Sequence, residues 1–78
     1  MDLQLSRRGD YAVRAAIALA RGEDYGFTKI REVAGRMGIP LPYTPQILKI
    51  LANGGIAEAK AGREGGYRLK RPASEISL

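Results

Sequence analysis

Polar side chains recur on one side of the segment 43–53, and their types suit hydrogen bonding to nucleic-acid bases. Gln46, Lys49 and Asn53 follow one another at spacings of three and four residues, which places them along one edge of a helix. Gln and Asn can pair bidentately with adenine, whereas Lys can donate to guanine or to phosphate. An ordinary solvated helix face would show the same pattern. The opposite edge is predicted to face inward and carries Thr44, Ile47, Leu48 and Leu51.

Basic residues are concentrated towards the carboxyl end of the chain. The formal net charge is +5, and between residues 60 and 71 five Lys/Arg stand against a single acidic residue, Glu64. Lys60, Arg63 and Arg68 could reach phosphates or place an arginine in a minor groove. A plain hairpin with solvated arms is the alternative interpretation. The turn between the arms carries three glycines that permit positive φ and close backbone approach: Gly62, Gly65 and Gly66.

Composition argues against an enzyme. The 78 residues contain no Cys and no His, which removes thiolate nucleophiles, imidazole bases and the usual zinc or iron ligands. A nucleotide could in principle bind the glycine-rich turn, but no Gly-Lys-Ser/Thr sequence follows it. We therefore expect no catalytic site, and no cofactor or metal in this chain.

Hydropathy indicates a cytoplasmic protein. Polar residues follow Met1, so no signal peptide is expected, and the longest apolar run, Ala15–Ala20, is too short to cross a membrane. We expect no membrane partner.

The periodicity predicts three helices. A central helix over 7–21, with Ser6 as its N-cap, carries one narrow charged stripe and many alanines. Thr28 is predicted to cap a second helix whose apolar positions are Ile30, Val33, Ala34 and Met37, and Gly38 to end it. The third helix begins between Leu41 and Thr44, where three prolines crowd its start, and Asn53-Gly54-Gly55 ends it.

A β-hairpin completes the pattern. Strands are predicted over 56–61 and 67–70, and Pro72 ends the second arm. The order helix, helix, turn, helix, hairpin is that of a winged helix-turn-helix: a mainly α fold in one domain, 1–78, with a wing at about 56–71. Ser77 is predicted to cap a further helix, which suggests a fragment of a longer protein.

Further contacts to DNA are predicted around this frame. Tyr43 could stack or hydrogen-bond at the DNA surface, although a border tyrosine is as often a core residue. Thr28 and Lys29 could bind a phosphate at a helix amino terminus, although a simple cap explains Thr28 equally well. Arg7 and Arg8 are phosphate contacts in one interpretation and solvated charges in the other. The predicted DNA-binding residues are Arg7, Arg8, Thr28, Lys29, Tyr43, Thr44, Gln46, Lys49, Lys60, Arg63 and Arg68.

Four motifs, in this order, resemble the IscR/NsrR family of bacterial transcriptional regulators, which sense iron–sulfur clusters or nitric oxide. They are Leu5-Ser6-Arg7-Arg8-Gly9-Asp10-Tyr11-Ala12-Val13-Arg14-Ala15, Ile30-Arg31-Glu32-Val33-Ala34, Tyr43-Thr44-Pro45-Gln46-Ile47-Leu48, and Gly65-Gly66-Tyr67-Arg68-Leu69 with Arg71-Pro72. The resemblance covers essentially the whole chain.

The resemblance implies a homodimer that reads a palindromic operator in double-stranded DNA, with a dimerisation helix beyond Leu78. In many members cysteines beyond that helix hold an iron–sulfur cluster, so a longer parent protein could carry one. The family's DNA contacts map onto Tyr43, Gln46 and the wing from Lys60 to Arg63. Two positions depart from the family: Pro45 replaces a glutamate of some members, and Ala61 replaces an arginine for which Arg63 could substitute.

The predicted function is sequence-specific DNA binding by a transcriptional regulator, with helix 43–53 in the major groove and wing residues 60–68 on the backbone or in the minor groove. The alternative is a winged-helix protein-interaction module without DNA binding, which Pro45 and Ala61 would favour.

Overall fold

The computed structural model describes the backbone of residues 3–75 and the side chains of residues 9–75. Short 3-10 turns lie at Glu23–Tyr25, Leu41–Tyr43 and Ala73–Glu75. The predicted winged helix-turn-helix is confirmed, while the predicted cap at Ser77 lies outside the described residues. The main elements are α1 Leu3–Arg21, α2 Ile30–Met37, α3 Thr44–Asn53, β1 Ala57–Lys60 and β2 Gly66–Leu69, the two strands pairing antiparallel.

Helix α1 is the centre of the molecule. It packs against α2, α3 and β2, and its residues Ala15, Ala18 and Leu19 are fully buried. Alanine side chains are small enough to let neighbouring backbones approach closely. The core is completed by aliphatic residues of the other elements: Val33, Ile39, Ile47, Leu48, Leu51, Ala57 and Leu69.

The start of α1 differs from the prediction. The helix already includes Leu3, the first described residue, so Ser6 lies inside it and is not the N-cap. Leu and Gln are good helix formers, and Leu3, Gln4 and Leu5 therefore extend the helix beyond the charged stripe on which the prediction rested.

The two strands differ slightly from the prediction: β1 is one residue shorter at each end than 56–61, and β2 lies one residue earlier than 67–70. Ala57 lies opposite Leu69, and Lys60 opposite Gly66. A third segment joins the sheet, because the Thr28 N–H donates to the Tyr67 carbonyl at 2.7 Å and the Tyr67 N–H donates to the Thr28 carbonyl at 2.8 Å. The loop before α2 therefore holds the wing against the helices.

Candidate nucleic-acid interface

The turn between α2 and α3 fixes the angle at which α3 leaves the core. Gly38 adopts the left-handed conformation, with φ 65° and ψ 32°, and its N–H donates to the Ala34 carbonyl, as predicted for this helix end. The next residue, Ile39, is only 3% exposed and anchors the turn in the core. From α1, the Arg14 guanidinium donates to the Met37 carbonyl at 3.3 Å, which places a cation at the carboxyl end of α2.

Helix α3 begins at Thr44, within the range 41–44 that the prolines predicted. Pro45 lies in its first turn, where a missing N–H costs nothing, and the preceding residues 41–43 form a 3-10 turn. Thr44 is fully buried and its hydroxyl donates to the Pro40 carbonyl at 3.0 Å. That side chain therefore joins two backbone segments inside the molecule and does not face a ligand, which argues against its place among the predicted DNA contacts.

The outward edge of α3 is polar, as the spacing predicted. Gln46, Lys49 and Asn53 are all exposed, while Ile47 and Leu48 are buried. Gln46 lies in the first turn of α3, the part of a recognition helix that contacts base edges in helix-turn-helix proteins.

One exposed side chain on this edge was not among the predicted contacts. Ile50 is 46% exposed, although the remaining large aliphatic residues of α3 are at most 5% exposed. It follows Gln46 by four residues, a spacing that places the two side chains on the same side of the helix. The sequence contained this signal, because the inward positions 44, 47, 48 and 51 leave position 50 outside the apolar edge.

Tyr43 lies at the border between the core and solvent. Its side chain is 55% exposed, and its ring stacks on Tyr11 with centroids 6.4 Å apart and an interplanar angle of 27°. The stacking orients the ring, and the exposure leaves it accessible at the start of α3. The ring is therefore not a buried core residue, and its contact with DNA stays a prediction.

The basic side chains of the wing differ in whether a carboxylate pairs with them. Arg68 Nε lies 2.6 Å from Glu58 Oε2 on the opposing strand, and the Arg68 guanidinium lies 4.4 Å from the centre of the Phe27 ring. Lys60 Nζ lies 5.7 Å from the same ring. Arg68 is therefore engaged by a carboxylate and an aromatic face, while Lys60 has no carboxylate partner among the described ion pairs.

Phe27 and Glu58 were missed at the level of sequence. Their roles depend on the register that places Glu58 opposite Arg68 and on the loop that brings Phe27 beneath the wing. The correct strand register would have revealed the ion pair, because directly opposite residues of an antiparallel pair interact. No local signal indicated the Phe27 contact.

A groove that three basic side chains border lies between the amino end of α2 and the wing tip, residues 61–65. Lys29, Arg31 and Lys60 line this cationic groove together with the backbone of Gly62 and Gly65. The Lys29 ammonium donates to the Arg63 carbonyl and thereby ties the wing tip to α2. Arg31 was not among the predicted contacts, although it is exposed and belongs to the first turn of α2.

The predicted DNA contacts Thr28, Arg7 and Arg8 are not among the exposed side chains that the structure describes at this surface. Thr28 is 5% exposed, and Lys29 rather than Thr28 precedes α2, with no side-chain capping hydrogen bond, so the predicted cap is wrong. The reason is the pairing of Thr28 with Tyr67, which turns the backbone into the sheet. The side chains of Arg7 and Arg8 lie outside the described residues.

Within residues 3–75, no cluster of three or more His, Cys, Asp or Glu side chains is arranged to hold a metal ion. In the same part of the chain, no helix has the length and apolarity needed to span a bilayer.

Known proteins match most of this chain in sequence and in fold. Residues 5–78 match Rrf2, a family described as iron-dependent transcriptional regulators. The chain belongs to the Rrf2 family. The match confirms the resemblance seen in the sequence, since IscR of Cereibacter sphaeroides is 40% identical over 78 residues, which cover 97% of this chain and 50% of that protein.

Solved structures agree with the assignment to Rrf2. The structure of T. potens IscR superposes with a TM-score of 0.81 at 32% identity, covering 88% of this chain and 50% of that one. CymR, the global cysteine regulator of B. subtilis, superposes with a TM-score of 0.80 at 28% identity, covering 88% of this chain and 54% of that one. The chain thus spans about half the length of these relatives.

The Rrf2 assignment makes the chain a DNA-binding domain of a transcriptional regulator rather than an enzyme. It does not favour the alternative of an interaction module without DNA binding. The family is described as iron-dependent, but this chain offers no set of iron ligands among its described residues. It has neither Cys nor His, and its described carboxylates form no cluster.

Proposed function

We propose that this domain inserts α3 into the major groove of a B-form duplex and lays the wing on the adjacent backbone or minor groove. The observation that carries the proposal is the exposed row Gln46, Lys49 and Asn53 on a helix whose opposite edge is buried. A major groove about 12 Å wide admits an α-helix, and amide side chains are the groups that pair with adenine there.

The cationic groove and Arg63 of the wing tip supply the affinity in this proposal. Lys60 and Arg63 contact phosphates, or Arg63 enters the minor groove where the family has an arginine at the position of Ala61. Lys29 and Arg31 lie at the amino end of α2, where a helix dipole also favours an anion. Arg68 contributes less than predicted, since Glu58 already neutralises it. Arg7 and Arg8 remain proposed phosphate contacts, and Tyr43 remains a proposed contact at the groove edge.

The whole protein is proposed to act as a cytoplasmic homodimer on a palindromic operator, through residues beyond Leu78. Relatives twice the length of this chain support that proposal. An iron–sulfur cluster, where the parent protein carries one, would need ligands outside residues 1–78, because this segment offers no cysteine.

Selection of preferred duplexes from a random pool, followed by titration with each variant, tests the base-reading role. Gln46→Ala is expected to cost about 1 to 3 kcal/mol on the selected duplex and to flatten the ranking of duplexes altered at one position. If Gln46→Ala left the ranking of duplexes unchanged, α3 would not be the element that contacts bases in the major groove. Arg21→Ala, which alters an exposed residue at the end of α1, is the control and should leave the ranking intact.

Salt dependence tests the wing contacts. Each phosphate contact contributes about −0.9 to the slope of log affinity against log salt concentration. Lys60→Ala and Arg63→Ala should each make the slope less steep by about 0.9, the contribution of one phosphate contact. Arg21→Ala should not change the slope. A slope unchanged by both wing substitutions would show that the wing does not contact the backbone.

A further inference from the structure

The exposure of Ile50 is not explained by the packing of α3 against the core. Its side chain is 46% exposed, whereas Ile47, Leu48 and Leu51 are 3%, 0% and 5% exposed. It is also absent from the partly buried hydrophobic residues that pack against the core. A branched aliphatic side chain therefore lies on the solvent edge of a helix whose other outward residues are polar, apart from Pro45 in the first turn.

The position of Ile50 relates it to the proposed base contact at Gln46. Four residues separate the two, which corresponds to a rise of about 6 Å along the helix axis. Successive bases of one strand are about 3.4 Å apart. A helix lying along the groove would thus bring Ile50 to a base about two steps from the one that Gln46 meets.

Only one base presents an apolar group in the major groove. Thymine carries a C5-methyl there, and apolar side chains contact it, while the other bases offer hydrogen-bond donors and acceptors. We propose that Ile50 contacts a thymine C5-methyl and so determines part of the sequence preference of this domain. The inference rests on the proposed function, because it requires α3 to lie in the major groove.

The neighbours of Ile50 favour a duplex over an apolar protein surface. Gln46 and Asn53, four residues before it and three after it, lie on the same side of α3, and Lys49 is also exposed on the outward edge. An apolar protein surface covering Ile50 would also bury these polar side chains, which is costly without new hydrogen bonds. The floor of a major groove supplies the methyl together with acceptors and donors for the polar neighbours.

The test replaces single thymines by deoxyuridine in the selected duplex, which removes only the C5-methyl. At one or two positions under α3, this change should weaken binding of the unaltered domain about threefold to fourfold, the value of one buried methyl-sized group. Ile50→Ala should bind the parent duplex more weakly and should be insensitive to deoxyuridine at those positions. Ile50→Val, which keeps the branch at Cβ and loses only the terminal methyl group, should retain the sensitivity.

Val13→Ala is the matched control, because Val13 is a similarly exposed aliphatic residue, at 48%, but lies on α1. It should leave the deoxyuridine profile unchanged, and thermal melting checks that each variant is folded. If the unaltered domain ignores every deoxyuridine, or if Ile50→Ala keeps the same profile, the inference is overturned while DNA binding stands. If no duplex is selected at all, the proposed function itself fails.

Discussion

The close approach of the wing to the loop before α2 makes a quantitative prediction at Gly66. Its φ is 145°, and a Cβ placed there would collide with the carbonyl of Thr28. Gly62 in the wing tip is the matched control, since its φ is also positive, at 97°, but no atom lies within 4 Å of a Cβ placed on it. Comparing alanine at the two positions separates backbone strain from the steric requirement.

The expected magnitudes follow from these two geometries. A non-glycine residue held at positive φ costs about 1 to 3 kcal/mol, and this term applies to both Gly62→Ala and Gly66→Ala. Only Gly66→Ala also pushes the Thr28 and Tyr67 backbones apart and weakens their two mutual hydrogen bonds. At about 0.5 to 1.5 kcal/mol for each bond, Gly66→Ala should be the more destabilising by about 1 to 3 kcal/mol.

Urea unfolding of both variants measures the difference, with the slope m serving as a check that the transition stays comparable. Hydrogen exchange should accelerate at the Thr28 and Tyr67 amides in Gly66→Ala and stay nearly unchanged there in Gly62→Ala. Equal losses of stability in the two variants would mean that the wing is not held by the Thr28 segment.

Three further substitutions have distinct expected outcomes. Leu48→Ala removes a fully buried side chain and should lower the free energy of unfolding by about 2 to 5 kcal/mol in urea titration. Thr44→Val should lower the free energy of unfolding by about 1 kcal/mol, because it removes the hydrogen bond to Pro40, and should not change the ranking of duplexes. A changed ranking would show that Thr44 is a DNA contact after all. Glu58→Gln should change stability by less than about 1 kcal/mol, because the ion pair is exposed, but should release Arg68 and steepen the salt dependence of DNA binding. Weaker binding by Glu58→Gln at low salt would indicate instead that the pair orients the wing.

Local patterns were sufficient for the helix-turn-helix. The apolar spacing from Ile30 to Met37 matches α2, and Gly38 ends it in the left-handed conformation expected of a glycine at that position. The proline cluster limited the start of α3 to 41–44, and the helix begins at Thr44. These features depend on neighbours within one or two turns, which a single sequence displays directly.

Contacts between distant segments were not visible in the sequence. Thr28 has the side chain of a helix cap, yet its backbone pairs with Tyr67, almost forty residues away. Arg68 was expected to be free for phosphate, but the register brings Glu58 to it and the fold brings Phe27 beneath it. In each case a local preference was overridden by tertiary packing, which a propensity or a charge count does not contain.

The most direct measurement of the central claim is the set of backbone amide signals that move when isotope-labelled protein is titrated with its selected duplex. Major-groove docking of α3 predicts the largest changes at Gln46, Lys49 and Asn53 and in the wing tip, with little change on the far side of the molecule. Changes confined to the apolar groove that Ile17, Leu69 and Ala73 line would contradict it, because no residue of α3 lines that groove.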